Sequence, residues 1–457
     1  MRDLILFKRF SLLFTLLLIT SCSLLEEPPR PVLPTPMATA PAFDFEAAAP
    51  GAIGEVIYNP VSSVIPGIDP AIAALLEQVS QQQLMGYVQT LEGFGSRNVF
   101  GEVDDPTTGI GAARQWIFDE FVRVGNGRLQ LKFDQFPLIH NGIEAPLQSN
   151  VVATLPGTDP DAGAIVILAH YDSRLNDIYD GYSRQPAAND NASGVALLLE
   201  TARVLSSQEW NQTIIFAAMS GEEQGSYGAH HYVQQAFLDG ITIDAAINYD
   251  TVGGRVGIPQ SIRLFAPQLE TSTHGELGRY YDFVGEMYQP TFPVTLVSAT
   301  DRDGRFGDQR EFIAAGMPAI RLTESVEDPS LLNSTKDSWA LIDYAYLQQV
   351  TRLNVAVLAN ILGAPARPAT PAVAAMEGLG SYLLTWEVDP AADGYVLLFR
   401  PLASPDYTPF RFVNKLEAGN VAVTDLNLDT EYAISIAPVM ENGRFGLFSP
   451  EIIVGTP

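Results

Sequence analysis

The chain has 457 residues, and its 53 acidic residues against 26 Lys and Arg residues give a formal charge of −27 at pH 7. A surface of that charge repels phosphate backbones, which argues against nucleic acid as a partner. Hydrophobic residues make up 47% of the chain, enough for a large buried core, and the length predicts two or three domains.

The first 22 residues have the pattern of a secretory signal. A basic start precedes an apolar run, residues 10–19, that is too short to span a membrane. The run leads into ITSC, which resembles the lipobox of bacterial lipoproteins, and Cys22 is the only Cys in the chain, which excludes an internal disulfide. We predict a signal peptide over 1–22 and a lipid on Cys22 that anchors the protein to a bacterial membrane, on its extracytoplasmic side. The alternative is an ordinary cleaved signal with an incidental Cys.

The segment after Cys22 changes from an extended pattern to a folded one. Residues 23–65 begin rich in Pro and Ala without an apolar period, which predicts a flexible tether. Apolar residues then recur at three- and four-residue spacing over 71–92 and 112–124, which predicts helices. We place the start of the first folded domain at residue 66 and its end at residue 365.

Strand-like and helical segments alternate through the middle of this domain. The runs AIVILAHYDS, TIIFAAMS, AAINYD and MPAIRLTES are typical of strands, and helical patterns separate them. A long helical pattern over 340–362 closes the domain. This alternation predicts an α/β fold with a parallel or mixed sheet, doubly wound so that helices cover both faces.

The C-terminal segment, 368–457, has short strand patterns with turn signals and no helical period. It predicts a small all-β sandwich. The segment resembles a fibronectin type III domain, with Trp386 on an early strand, Tyr395 opening the next and Tyr432 at the position of a tyrosine corner. Such a domain would contact a protein or polysaccharide.

Polar side chains gather where the predicted strands end. Ligands of open α/β sheets bind at the carboxyl edge, so these residues are expected to lie together. Each alone has an ordinary explanation, such as a helix cap or a turn residue. Crowded together, the carboxylates repel each other unless a cation neutralises them, which indicates a metal site. The residues are His170, Asp172, Asp190, Glu222, Glu223 and Asp250.

The motifs HYDS, NDNASG, SGEEQGSYGA and NYDTVG, in this order, resemble the zinc exopeptidase family of bacterial leucyl aminopeptidases and glutamate carboxypeptidase. The resemblance spans about residues 70–363 and implies a doubly wound mixed sheet with two zinc ions. His170 and Asp250 would bind one zinc, Glu223 would bind the other, and Asp190 would bridge them.

The resemblance also implies the catalytic roles and the substrate. Glu222 would be the general base that takes a proton from a zinc-bound water as it attacks a peptide carbonyl. Asp172 would fix the tautomer of the His170 imidazole. The partner would be a peptide substrate.

One position departs from the family pattern. The last metal ligand of the family is a His shortly before the closing helix, and here the matching residue is Asn333; no His follows His274. An amide oxygen is a weaker zinc ligand than imidazole, so we expect one firmly bound Zn²⁺ and a second site that is weakened or taken by another divalent cation.

Three hypotheses follow from these motifs. The leading one is a lipid-anchored metallopeptidase, most simply an aminopeptidase, with an altered second metal site. The alternative is a catalytically inactive member of the same fold that acts as a cell-surface binding protein. Cyclase chemistry, as in the related glutaminyl cyclases, ranks below both because it would use the altered site.

Overall fold

The computed structural model describes residues 68–159, 161–378, 380–407, 410–424 and 426–455. The predicted signal peptide, the lipidation site Cys22 and the predicted tether lie outside the described residues. Within these ranges, no helix is both long and apolar enough to cross a membrane.

An eight-stranded mixed sheet, as counted over the described residues, forms the centre of the larger part of the chain. Two short strands, Ile139–His140 and Ile143–Glu144, form a separate hairpin. The strands are β1 (Gln130–Phe136), β2 (Ile139–His140), β3 (Ile143–Glu144), β4 (Gln148–Leu155), β5 (Ala164–His170), β6 (Thr213–Met219), β7 (Ile243–Tyr249), β8 (Ile262–Phe265), β9 (Val294–Val297) and β10 (Ala319–Glu324).

The order in the large sheet is β1-β4-β6-β5-β7-β10-β8-β9. Strands β6, β5, β7 and β10 run parallel to their neighbours in this central block. Strands β1 and β4 are added antiparallel on one side, and β8 pairs antiparallel with β10 on the other. Since the ends of parallel strands meet at one edge, the central block places the residues after β5, β6 and β7 side by side.

Helices cover both faces of this sheet. They are α1 (Pro70–Leu76), α2 (Gln81–Gly93), α3 (Gly109–Val124), α4 (Ser193–Leu205), α5 (Tyr227–Leu238), α6 (Thr273–Tyr288), α7 (Gln309–Ala314) and α8 (Tyr344–Gly363). On one side lie α1, α2, α3, α4, α6 and α8, which contact one another, and on the other side α5 and α7 contact each other and the opposite core.

Strand β5 explains why the sheet is buried on both sides. Ile165 and Ile167 belong to the core under one helical layer, and Val166 and Leu168 belong to the core under the other. All four side chains are fully buried, which matches a continuous apolar run rather than an alternating one. The predicted doubly wound mixed α/β fold is therefore confirmed.

The continuous helical pattern over 71–92 forms two helices instead of one. The side chain of Ser80 accepts a hydrogen bond from the backbone N–H of Gln83 at 3.2 Å and begins α2. Asp69 begins α1 in the same way, accepting from the N–H of Ala71 at 2.7 Å. Local capping thus interrupts a pattern whose apolar period continues.

The C-terminal residues form two antiparallel sheets, as predicted. Their order is β11-β12-β15 and β14-β13-β16-β17. The edge of the Trp386 ring packs on Tyr395 with centroids 5.3 Å apart. The narrower likeness to fibronectin type III remains a prediction. The strands are β11 (Ala372–Ala375), β12 (Tyr382–Thr385), β13 (Gly394–Pro401), β14 (Phe410–Asn414), β15 (Asn420–Val423), β16 (Tyr432–Val439) and β17 (Ile452–Val454).

These C-terminal sheets pack directly on the α/β part. The Tyr280 hydroxyl of α6 donates to the carbonyl of Phe445 at 2.8 Å, and both residues are buried. Arg444 pairs with Asp69 at 2.5 Å at the start of α1. Because buried aromatic and ionic contacts join the two parts, the C-terminal sheets contribute to the packing of the α/β core.

Candidate metal centre

Residues from three neighbouring strand ends meet at the carboxyl edge of the central block. His170 is the last residue of β5, Glu222 and Glu223 follow β6, and Asp250 follows β7. Asp190 joins them from the turn that precedes α4. Their side chains are each exposed by 10% or less, so the group lies in a largely dry setting.

The His170 ring has two distinct environments. Its Nδ1 lies 3.2 Å from the backbone carbonyl of Asp172 and 3.6 Å from the carboxylate of the same residue. A carbonyl only accepts, so Nδ1 carries the proton. Its Nε2 lies 3.2 Å from Asp190 Oδ1 and 3.6 Å from Asp250 Oδ1, yet it is buried without a hydrogen-bond partner among the described residues.

His170, Asp190 and Asp250 fit a metal ion. One ligand atom from each residue lies within 4.8 Å of the other two. Burial opposes a charge on His170, but the surrounding carboxylates raise its pKa well above the ordinary value, so the site stabilises positive charge. One imidazole nitrogen and two carboxylate oxygens form a donor set that zinc accepts, with a coordination position left open.

Two buried groups that sequence analysis left without a role hold the ligands in place. Both oxygens of Asp337 accept backbone N–H groups, from Asn189 and from Asp190, each at 2.9 Å. Arg321 of β10 is fully buried and contacts Asp250 Oδ2 at 3.0 Å. Burial alone would raise the pKa of Asp250, but Arg321 lowers it below the ordinary value. A charge between the apolar residues Ile320 and Leu322 was the available sequence signal for Arg321.

Asp172 positions the two glutamates as well as the imidazole. Its Oδ1 accepts the N–H of Glu222 and its Oδ2 accepts the N–H of Glu223, each at 3.2 Å. Glu222 then reaches within 3.9 Å of His170 Nε2. Burial raises the pKa of Glu222 well above its usual range, and the neighbouring carboxylates add to the effect while His170 opposes it. Such a carboxylate readily accepts a proton.

Glu223 has different partners from the other carboxylates. Arg174 Nε donates to its Oε2 at 2.5 Å. With the Asn333 amide nitrogen facing Glu223, that nitrogen donates to Oε1 at 2.7 Å, and the amide oxygen accepts from Arg174 at 3.0 Å. Asn333 therefore lies beside Glu223, where the sequence places it, but both oxygens of Glu223 are already engaged. These residues do not fit a second metal ion.

A cavity of about 190 Å³ opens beside these carboxylates. Asp190, Glu222, Glu223 and Asp250 form its acidic part. Half of its remaining lining residues are arginines, and none of these residues was identified from the sequence: Arg174, Gly225, Ser226, Arg302, Gly304, Arg305, Phe306 and Arg310. The volume suits one side chain and an adjoining peptide group rather than a folded protein segment.

Solved structures share this arrangement of sheet and helices. LapB from Legionella pneumophila matches with a TM-score of 0.54 and 21% identity, over 66% of this chain and 77% of that one. An aminopeptidase from Aneurinibacillus sp. strain AM-1 matches with a TM-score of 0.51 and 14% identity, over 65% of this chain and 97% of that one. The fold class is thus the mixed α/β fold of the zinc aminopeptidase type.

Sequence comparison identifies the family. The model of peptidase family M28 matches residues 150–358. A protein of Pyricularia oryzae described as a probable zinc metalloprotease is 31% identical over 422 residues, covering 82% of this chain and 83% of that protein. The chain belongs to peptidase family M28. The predicted family of metal-dependent peptidases is confirmed at this level.

Proposed function

We propose that the protein is a metal-dependent exopeptidase, specifically an aminopeptidase that hydrolyses N-terminal residues of peptides, with an altered second metal site. The observation that carries the proposal is the Nε2 of His170, which has no hydrogen-bond partner in the part of the chain that the structure describes and points at two buried carboxylates with Glu222 beside it. The name of the Aneurinibacillus structure supports the aminopeptidase assignment, and the name of the Pyricularia relative supports zinc.

His170, Asp190 and Asp250 would hold the zinc ion. When bound, the ion would supply Lewis acidity, which polarises the peptide carbonyl and lowers the pKa of water. Glu222, whose carboxylate lies 3.9 Å from His170 Nε2, takes the proton from the attacking water and can pass it to the leaving amine. Asp172 holds the backbone of Glu222 and orients the His170 ring for these steps.

The alternative is a catalytically inactive member of the fold that binds a partner at the cell surface. The arrangement of Arg174 and Asn333 around Glu223 favours it, since that carboxylate is not free to bind a metal. The geometry of His170 with Asp172 and Glu222 favours the enzyme, because a binding protein has no need of a base beside a metal site.

We further propose the location that the N-terminal sequence indicates. A lipid on Cys22 would anchor the protein to a bacterial membrane, on the extracytoplasmic side. There the α/β part would meet peptide substrates, and the C-terminal sheets would contact a protein or polysaccharide near the site.

The function is tested with the purified protein, bound metal counted by mass spectrometry and a panel of aminoacyl-nitroanilides. We expect turnover with zinc, manganese or cobalt, and a loss of about 10²- to 10⁴-fold in kcat for Glu222→Gln with bound metal unchanged. Glu209→Gln, a change at an 80% exposed glutamate, is the control. If the metal-loaded protein turns over no substrate, or if Glu222→Gln remains fully active, the enzyme hypothesis is wrong and the binding hypothesis replaces it.

A further inference from the structure

Glu223 belongs to a compact group of three side chains. Arg174 follows directly after the segment His170–Ser173, so the end of β5 that supplies the imidazole also supplies this guanidinium. Its Nε lies 2.5 Å from Glu223 Oε2. The Asn333 amide bridges the remaining atoms, donating to Glu223 Oε1 at 2.7 Å and accepting from Arg174 at 3.0 Å.

Asn333 suits this arrangement because one amide plane carries a donor and an acceptor side by side. A neutral imidazole at the same position could also donate to Glu223. Its second nitrogen lies across the ring from the first, so the acceptor would not lie beside the donor as it does in the amide. The backbone of Asn333 has a positive φ of 54°, a conformation that Asn tolerates better than most residues. Local chain geometry and hydrogen bonding therefore both favour Asn at 333.

One metal ion and Arg174 match the charge of the three carboxylates assigned to metal binding, while Arg321, which also contacts Asp250, is shared with Asp301. Asp190, Glu223 and Asp250 carry three negative charges, and one divalent ion with the guanidinium carries three positive ones. A second divalent ion would lie next to Arg174 in a setting where Glu223 is only 6% exposed. A divalent ion and a guanidinium that contact the same carboxylate repel each other strongly when water does not screen them.

We infer that the guanidinium of Arg174, held by Asn333, occupies the position of a second metal ion, so that the protein binds one metal ion. The inference rests on the proposed function for the metal site formed by His170, Asp190 and Asp250. Arg174 keeps Glu223 in place with a fixed organic cation, which no chelator removes. It also lies on the wall of the cavity that would receive the substrate.

The test is metal stoichiometry, which is measured without any reference to activity. The wild-type protein, purified and passed through a desalting column after incubation with zinc, should retain one zinc ion per chain by plasma mass spectrometry. Asn333→His alone should also retain one, because Arg174 remains. The double variant Arg174→Ala/Asn333→His should retain two, since it has an imidazole and a free Glu223 carboxylate.

Arg310→Ala is the matched control, because this arginine lines the same cavity but pairs with Glu311. It should retain one zinc ion. Two firmly held ions in the wild type would overturn the inference, as would a double variant that keeps a wild-type circular dichroism spectrum and retains one ion.

Zinc-edge anomalous diffraction of wild-type crystals is the second measurement and needs no variant. One peak among His170, Asp190 and Asp250 is expected, and a second peak beside Glu223 would refute the inference. These outcomes are separate from the fate of the proposed function. A protein with one zinc ion and no turnover retains the inference and loses the aminopeptidase proposal.

Discussion

Asp337→Asn should weaken metal binding although Asp337 is not a ligand. The carboxylate accepts hydrogen bonds from the N–H groups of Asn189 and Asp190, each at 2.9 Å. Asn333 lies in the segment just before Asp337. An Asn side chain keeps one acceptor oxygen and presents its NH₂ group to the other N–H. One backbone donor then faces a donor in a site that is 3% exposed.

The size of the effect follows from the lost contact. A hydrogen bond to a charged group contributes about 1.5–3 kcal/mol to stability, so the turn that carries Asp190 is destabilised by about that amount. Groups that orient a metal ligand typically change metal affinity by about 10- to 100-fold when removed. We therefore expect the zinc Kd to rise by about 10- to 100-fold, with a lower melting temperature.

The assay is competition with a chromophoric chelator, combined with thermal melts in the presence of excess chelator. Burial raises the pKa of Asp337 to about 7, so the measurement is made at pH 8.5, where the carboxylate is ionised. The control is Asp328→Asn, because Asp328 is partly exposed and pairs with Arg255 at the surface. An unchanged zinc Kd for Asp337→Asn would refute the proposal that Asp337 positions Asp190.

Three further outcomes are expected. Arg321→Met leaves the buried carboxylates of Asp250 and Asp301 without their cation. Urea unfolding should show a free energy of unfolding that is lower by about 3–5 kcal/mol. Burial lowers the pKa of His274, whose Nδ1 accepts a backbone N–H at 3.1 Å, so the unfolded state binds more protons. Stability should therefore fall as the pH drops below about 6.5, and thermal melts of His274→Gln should show a smaller fall. Deletion of 368–457 uncovers Tyr280, and calorimetry should show a melting temperature lower by roughly 5 °C or more; an unchanged value would mean that the C-terminal sheets do not stabilise the core.

The central part of the fold was predictable because its strands are buried on both faces. Long apolar runs such as the one that ends at His170 form parallel strands in an α/β protein, because helices bury them on both faces. Parallel neighbours end at the same edge, so the order of polar residues after each run predicts which side chains meet. Asp190 and Asp250 reach His170 for this reason.

The outer strands were not predictable in the same way. Strand β1 reads QLKFDQF and, among the described residues, lies at the edge of the sheet beside β4. Gln130, Lys132 and Gln135 face solvent, but Asp134 is buried, so the strand leaves a weak pattern. Strands β8 and β9 have four residues each and lie in 251–310, where the sequence has no readable motif. Their pairing depends on contacts with β10 and with each other, which are tertiary and leave no local signal.

The partner of Glu223 could not be predicted from the sequence for a related reason. The sequence shows that His is missing at position 333, because a family motif defines that position. Arg174 follows the motif HYDS, but no periodicity or spacing in the sequence indicates which residue it pairs with. Only the charge balance indicated that a cation was needed beside three carboxylates. The sequence alone favours Asn333→His as the change that restores a second metal ion. The contact between Arg174 and Glu223 predicts that this change fails unless Arg174 is removed with it.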